Sequence, residues 1–196
     1  MLQAIQAGLA KVKNKTHVSR ISTNLPGIYK MNEQAIKSVE EFLLSHRDEQ
    51  ISFLAELVKV PSDNPPGDCA AHGERAAVLL EAMGLKVERD VVPQAEVQAN
   101  GMLSATNLIV RHKFADGPTI ALNAHGDVVQ PGLGWSVDPY GAVVKDGFMF
   151  GRGVAVSKSD FATYTYALLA QALLPIRCCC DICNTSSRAL SAAASR

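Results

Sequence analysis

PTIALNAHGDVVQPGLGWSVDPYGAVVKDGFMFGRGVAVSKSD, running from Pro118 to Asp160, is the stretch on which the reading of the chain turns. After Gly117-Pro118, the residues Ile120, Leu122 and Ala124 alternate with others in a short apolar run, the pattern of a buried strand ending at His125. In an open α/β sheet, the carboxyl ends of the strands border a crevice, because the loops that leave neighbouring strands diverge there. His125-Gly126-Asp127 puts an imidazole and a carboxylate on one side of an extended backbone, with a glycine between them that lets the chain turn away. A neutral imidazole ligates Zn²⁺ well, and a carboxylate beside it fixes the orientation of the ring. Taken alone, a triplet of this kind is more often a surface turn.

The flanks supply helices and strands in an order that predicts an α/β sandwich. Ser38 and Glu41 have capping-box spacing. Val39, Phe42, Leu43, Ile51, Leu54, Leu57 and Val58 recur near the helical period, so a helix or helix pair is expected to stop before Pro61. Ala70 to Met83 reads as a helix with Gly84 at C′, and His72 in its first turn as an exposed or capping residue. Leu85 to Val92 and Thr106 to His112 read as strands, separated by a polar irregular segment, with His112 a solvated strand end. Trp135 and Asp138-Pro139 mark a turn, and Gly141 to Phe150 a hairpin around Asp146-Gly147. Phe161 to Leu174 reads as an amphipathic helix with Leu168, Leu169, Ala172 and Leu173 inward. Glu40-Glu41 are solvated charges favoured by a helix dipole. Arg152, between two glycines, is expected in a structural ion pair, with an anion contact as the alternative.

LVKVPSDNPPGD (Leu57–Asp68), LNAHGDVV, W-x-x-DPYGAVVKDG and GRGVAVSK occur in one order at close spacing. Together they resemble the amino-terminal half of the zinc-dependent amidohydrolases and peptidases that include aminoacylase, acetylornithine deacetylase, succinyl-diaminopimelate desuccinylase and glutamate carboxypeptidase. The resemblance runs from about Glu33 to Leu174. It implies a three-layer α/β sandwich of the zinc-peptidase type, here incomplete, with the carboxyl-terminal strands and the lid domain absent. It implies hydrolysis of amide or peptide bonds in small N-acyl amino acids or dipeptides, with zinc as cofactor and cobalt or manganese as alternatives. By position, His125 matches the histidine that ligates one zinc, and Asp127 the aspartate that orients the ligand shell. The family's G-R-G-x-x-D-x-K has an aspartate bridging two zinc ions, where this chain has Val156, whose side chain offers a metal no donor. Asp160, four residues on, is the other carboxylate within reach, with a helix N-cap as its alternative role. At most one ion is therefore expected. The family's general-base glutamate and remaining ligands match no position here. That leaves a second expectation, a non-catalytic remnant that binds metal weakly or associates with a full-length relative.

Residues Met1 to Lys30 hold five basic residues and no acidic one, which reads as a leader preceding a start at Met31. Residues 176–196 carry Cys178, Cys179, Cys180 and Cys183 and then Ala and Ser, which reads as a disordered or out-of-frame tail. Cys180-x-x-Cys183 has the spacing of half a zinc or redox site, but no second pair follows it. Formal net charge is zero, so nothing points to nucleic acid or an acidic membrane as partner. No run approaches the roughly 18 apolar residues of a spanning helix. A cytoplasmic, reduced chain is expected, self-associating through an uncovered sheet edge.

Overall fold

The computed structural model describes residues 33–114, 116 and 119–173, so the leader, the cysteine tail and Gly117-Pro118 lie outside the described residues. Helices and short strands alternate: α1 (Glu33–Ser45), α2 (Arg47–Val58), α3 (Ala70–Ala82), β1 (Val87–Val91), α4 (Gln94–Ala99), β2 (Thr106–Val110), β3 (Val143–Lys145), β4 (Phe148–Phe150) and α5 (Lys158–Leu173). The α/β character holds, in the form of two antiparallel two-stranded sheets, β1-β2 and β3-β4.

Helix α1 begins by Glu33, upstream of the expected cap. Ser38 is therefore inside the helix, where its Oγ donates to the carbonyl of Gln34 instead of capping an amide. Asp48 and Glu49 lie in the first turn of α2, favourable to its dipole, and the helix ends before Pro61. Helix α3 closes as its sequence predicts: Gly84 has φ +80°, and the amides of Gly84 and Leu85 return to the carbonyls of Glu81 and Leu80. The core lies between α2, α3 and α5, built from Phe53, Leu57, Ala76, Leu80, Ala162 and Tyr166. Leu85, Val87, Leu108 and Val110 of the β1-β2 region pack against it. On α5 the buried face is Ala162, Thr165, Tyr166 and Ala170, with Leu169 packed against the core. The expected stripe was thus displaced, and Leu168 and Ala172 are only half-buried. A large aromatic ring at Tyr166 fills the space between α2 and α5, so the small residues one turn to either side face inward.

Strands β1 and β2 pair with Val87 opposite Val110 and Val91 opposite Thr106. Their connection, expected to be irregular, contains α4, whose Val97 is buried. Asp146 (φ 53°) and Gly147 (φ 79°) form the two-residue turn that D-G announces, and Val143 pairs with Phe150 across it.

The main departure is the segment before His125. Residues 119–127 form no strand, and Ile120 and Leu122 are 82% and 59% exposed. Alternation states which side chains share a face, but a strand needs a neighbouring backbone to pair with. Among the described residues, the pairing next to this segment is one parallel bridge, Asp63 to Val128. The histidine is consequently held by a loop contact and not by the end of a strand.

Candidate functional site

That contact is made by the first motif. From the buried Ser62, Oγ donates to the carbonyl of Gly126 at 2.7 Å, and the Ser62 carbonyl accepts from the Val128 amide at 3.0 Å. The Asn64 amide donates to the Val128 carbonyl at 2.8 Å, and Asn64 Nδ2 to Asp127 Oδ2 at 3.0 Å. Gln130 Nε2 reaches the Pro65 carbonyl, and the Tyr140 hydroxyl donates to Asp63 Oδ1. Residues 62–65 thus clamp the H-G-D turn from one side.

Within the turn, His125 Nδ1 lies 2.9 Å from Asp127 Oδ1 and 3.1 Å from the Asp127 carbonyl. Both partners accept, so Nδ1 is the donor, and in a neutral ring this leaves the lone pair on Nε2, the arrangement that prepares an imidazole for a metal. Burial pushes the Asp127 carboxyl up, but hydrogen bonds from Asn64 and His125 outweigh it and hold the group below the usual aspartate range. Asn64→Ala is expected to raise the Asp127 titration midpoint, read from carboxyl ¹³C shifts across a pH series. An unmoved midpoint would leave His125 as the carboxylate's controlling partner.

The remaining donors do not converge. Val156 is 71% exposed. Asp160 sits in the first turn of α5 and accepts from Ser157 Oγ at 2.6 Å, so its carboxylate is already engaged, though not as the N-cap. No group of three or more His, Cys, Asp or Glu able to hold a metal exists among the described residues. One imidazole is presented by the turn, and the donors of the described residues do not complete a metal site around it.

Three side chains take places that their sequence context did not reveal. Arg152 makes no ion pair among the described residues. It donates to the Pro131 carbonyl at 3.0 Å and lies over the Trp135 ring at 5.4 Å, because the turn brings carbonyls and an indole to it and no carboxylate. Lys158 is 0% exposed, with Nζ donating to the carbonyls of Leu57 (3.0 Å) and Val60 (2.9 Å) at the end of α2. Burial lowers its amine to about 8. His72, expected at the surface, is 3% exposed. It lies on the same helical stripe as the buried Ala76 and Leu80, and that spacing of four was the signal that could have placed it inside. His72 faces Gly126. A Cβ built on that glycine would lie 2.6 Å from both Nδ1 and Cε1 of the ring.

Residues 121–177 match the model of Peptidase family M20/M25/M40. The succinyl-diaminopimelate desuccinylase of Wolinella succinogenes is 34% identical over 118 residues, which is 60% of this chain and 29% of that protein. The enzyme of the same name from Methylobacterium nodulans is 37% identical over 116 residues, 58% of this chain and 27% of that protein. That of Acidiphilium cryptum is 41% identical over 66 residues, 34% and 18% respectively. The chain therefore spans less than a third of the length of these relatives. No solved structure gives a significant match. These matches bear out the resemblance read from the motifs: residues 121–177 carry sequence of the M20 family, the group in which the desuccinylase relatives fall. No helix among the described residues is long and apolar enough to cross a membrane.

Proposed function

We propose that this chain carries the ligand-bearing segment of a metal-dependent hydrolase that cleaves amide bonds in small N-acyl amino acids or dipeptides. His125 serves as a metal ligand and Asp127 as the group that orients it. The observation that carries the reading is the His125 Nδ1 to Asp127 Oδ1 bond, which commits Nε2 to an outward lone pair. The relatives' names support a succinyl group as the acyl part of that substrate. Zinc is the metal expected from the imidazole donor, with cobalt or manganese as alternatives. The three-layer sandwich of the zinc peptidases is the fold in which the 119–124 segment would find its strand neighbours. Exposed Ile120, Leu122, Val129 and Leu133 support self-association of the chain as written, in the cytoplasm.

A second reading, a non-catalytic form that binds metal weakly or pairs with a longer relative, is favoured by Val156 at the bridging position and by the engagement of Asp160 with Ser157. Elemental analysis of the purified chain and of His125→Ala, with hydrolysis of N-succinyl amino acids assayed on the same samples, separates the two. About one ion per chain, lost with His125 together with turnover, is the expected result for the hydrolase. Metal without turnover establishes the second reading, and the absence of both removes His125 as a ligand.

A further inference from the structure

Among the described residues, His72 is a buried titratable side chain that the reading above leaves without a task. Its position is fixed from two sides. Phe161 of α5 packs edge-on to the ring, with centroids 6.0 Å apart, and the α3 backbone holds the other end among buried Ala76 and Ala77. Above the ring runs the backbone of Gly126. The three heavy atoms nearest to a Cβ at that position all belong to the His72 imidazole, at 2.6, 2.6 and 3.6 Å. Ser62 Oγ also holds the Gly126 carbonyl at 2.7 Å, and Val128 is paired to residues 62–64. The turn is therefore held by bonds to residues 62–64 and abuts the His72 ring so closely that a residue with a Cβ would displace that ring.

We propose that His72 is a positioning residue for the His125–Asp127 pair: its ring is the floor on which the Gly126 turn rests, and this contact sets the separation of His125 Nδ1 from Asp127 Oδ1. The two members of the pair flank the glycine, so a drop of the turn onto a missing ring changes their distance directly. The role is one of shape. The ring's Nε2 has no hydrogen-bond partner among the described residues, so a side chain of similar bulk with no polar atom can perform it. The inference rests on the reading of His125 and Asp127 as the working pair, but its test needs neither metal nor substrate.

The experiment measures the ¹⁵N shifts of the His125 ring in the full chain at one pH above 7, with no metal added. The wild-type chain is expected to hold the Nδ1–H tautomer. His72→Ala is expected to lower the ratio of Nδ1–H to Nε2–H by about tenfold, the worth of one hydrogen bond to a charged acceptor. His72→Leu, which keeps the bulk, is expected to leave the ratio unchanged. Gly126→Ala is expected to lower it as well, and Gly126→Ala combined with His72→Ala to restore part of it, since the methyl group enters the vacated space. A wild-type ratio in folded His72→Ala overturns the proposal, as does Gly126→Ala with both the ratio and the melting temperature of the wild type. If His72→Ala fails to fold, the contrast between His72→Leu and Gly126→Ala decides the matter alone. A retained ratio in His72→Leu beside a metal-free elemental analysis supports the positioning role while removing the metal reading, so the two fail separately.

Discussion

Lys158→Ala is expected to lose roughly 3 kcal/mol of folding stability near pH 7, a large fraction of what a small domain possesses. Two carbonyls at the end of α2, those of Leu57 and Val60, lose their donor, at about 1–3 kcal/mol each when buried. The buried four-carbon stem adds about 3 kcal/mol of lost apolar burial. Against this stands the relief of a buried charge. An amine lowered from 10.5 to about 8 by burial carries roughly 3 kcal/mol of unfavourable charging at neutral pH. The balance is a clear loss for alanine and a smaller one for Lys158→Met, which keeps most of the stem. The sign of the pH dependence follows. Between pH 8 and 10.5 the unfolded lysine binds a proton that the folded one has released, so the wild type gains stability as pH rises through that window. Neither variant has this gain. Urea denaturation at pH 7 and at pH 10 measures both effects, and equal slopes in wild type and Lys158→Met would show that the amine is not buried as described.

Acid is expected to act through His72. Burial, and then the charge of Lys158, lower this imidazole from 6.5 to about 3, with Asp127 opposing. Its folded pKa is depressed, so the stability it allows is complete above pH 6.5, where both states are neutral. It is lost as pH falls toward 3, because the unfolded chain takes up a proton that the folded chain refuses. The slope approaches about 1.4 kcal/mol per pH unit, amounting to about 2 kcal/mol between pH 6 and 4. Asp127 acts in the same direction but lower, its contribution being lost as pH falls through its own depressed value. His72→Leu is expected to flatten the upper window and leave the lower one. Melting temperatures from pH 7 to 4 measure this. A wild-type slope retained in His72→Leu would move the acid sensitivity to another group.

Much of the local structure was legible because its causes are local. Gly84 closes α3, Asp146-Gly147 turns β3 into β4, and Pro61 stands beyond α2, each through backbone preferences that span a few residues. The H-G-D triplet was legible for the same reason, since residues two apart in extended chain share a side, and the structure pairs them at 2.9 Å. The expected strand at 119–124 was legible as a pattern but not as a structure. Its alternation is a property of the segment, whereas its pairing is a property of a neighbour. The place of His72 depends on the stripe of Ala76 and Leu80 that carries it inward, and that of Arg152 on carbonyls and an indole that the turn brings to it.

The sequence by itself carried the resemblance to the M20 family, the His125-Gly126-Asp127 triplet, Val156 after the G-R-G run, and most of the order of helices and turns, all of which are written in short spacings. Only the tertiary structure decided that Ser62 and Asn64 clamp a turn some sixty residues away, that His72 lies beneath its glycine, and that Lys158 closes a helix about a hundred residues before it. The physical reason is that such contacts depend on how α3 and α5 pack around one core. Packing is a joint property of all the surfaces that meet there and cannot be assigned to any one stretch of chain.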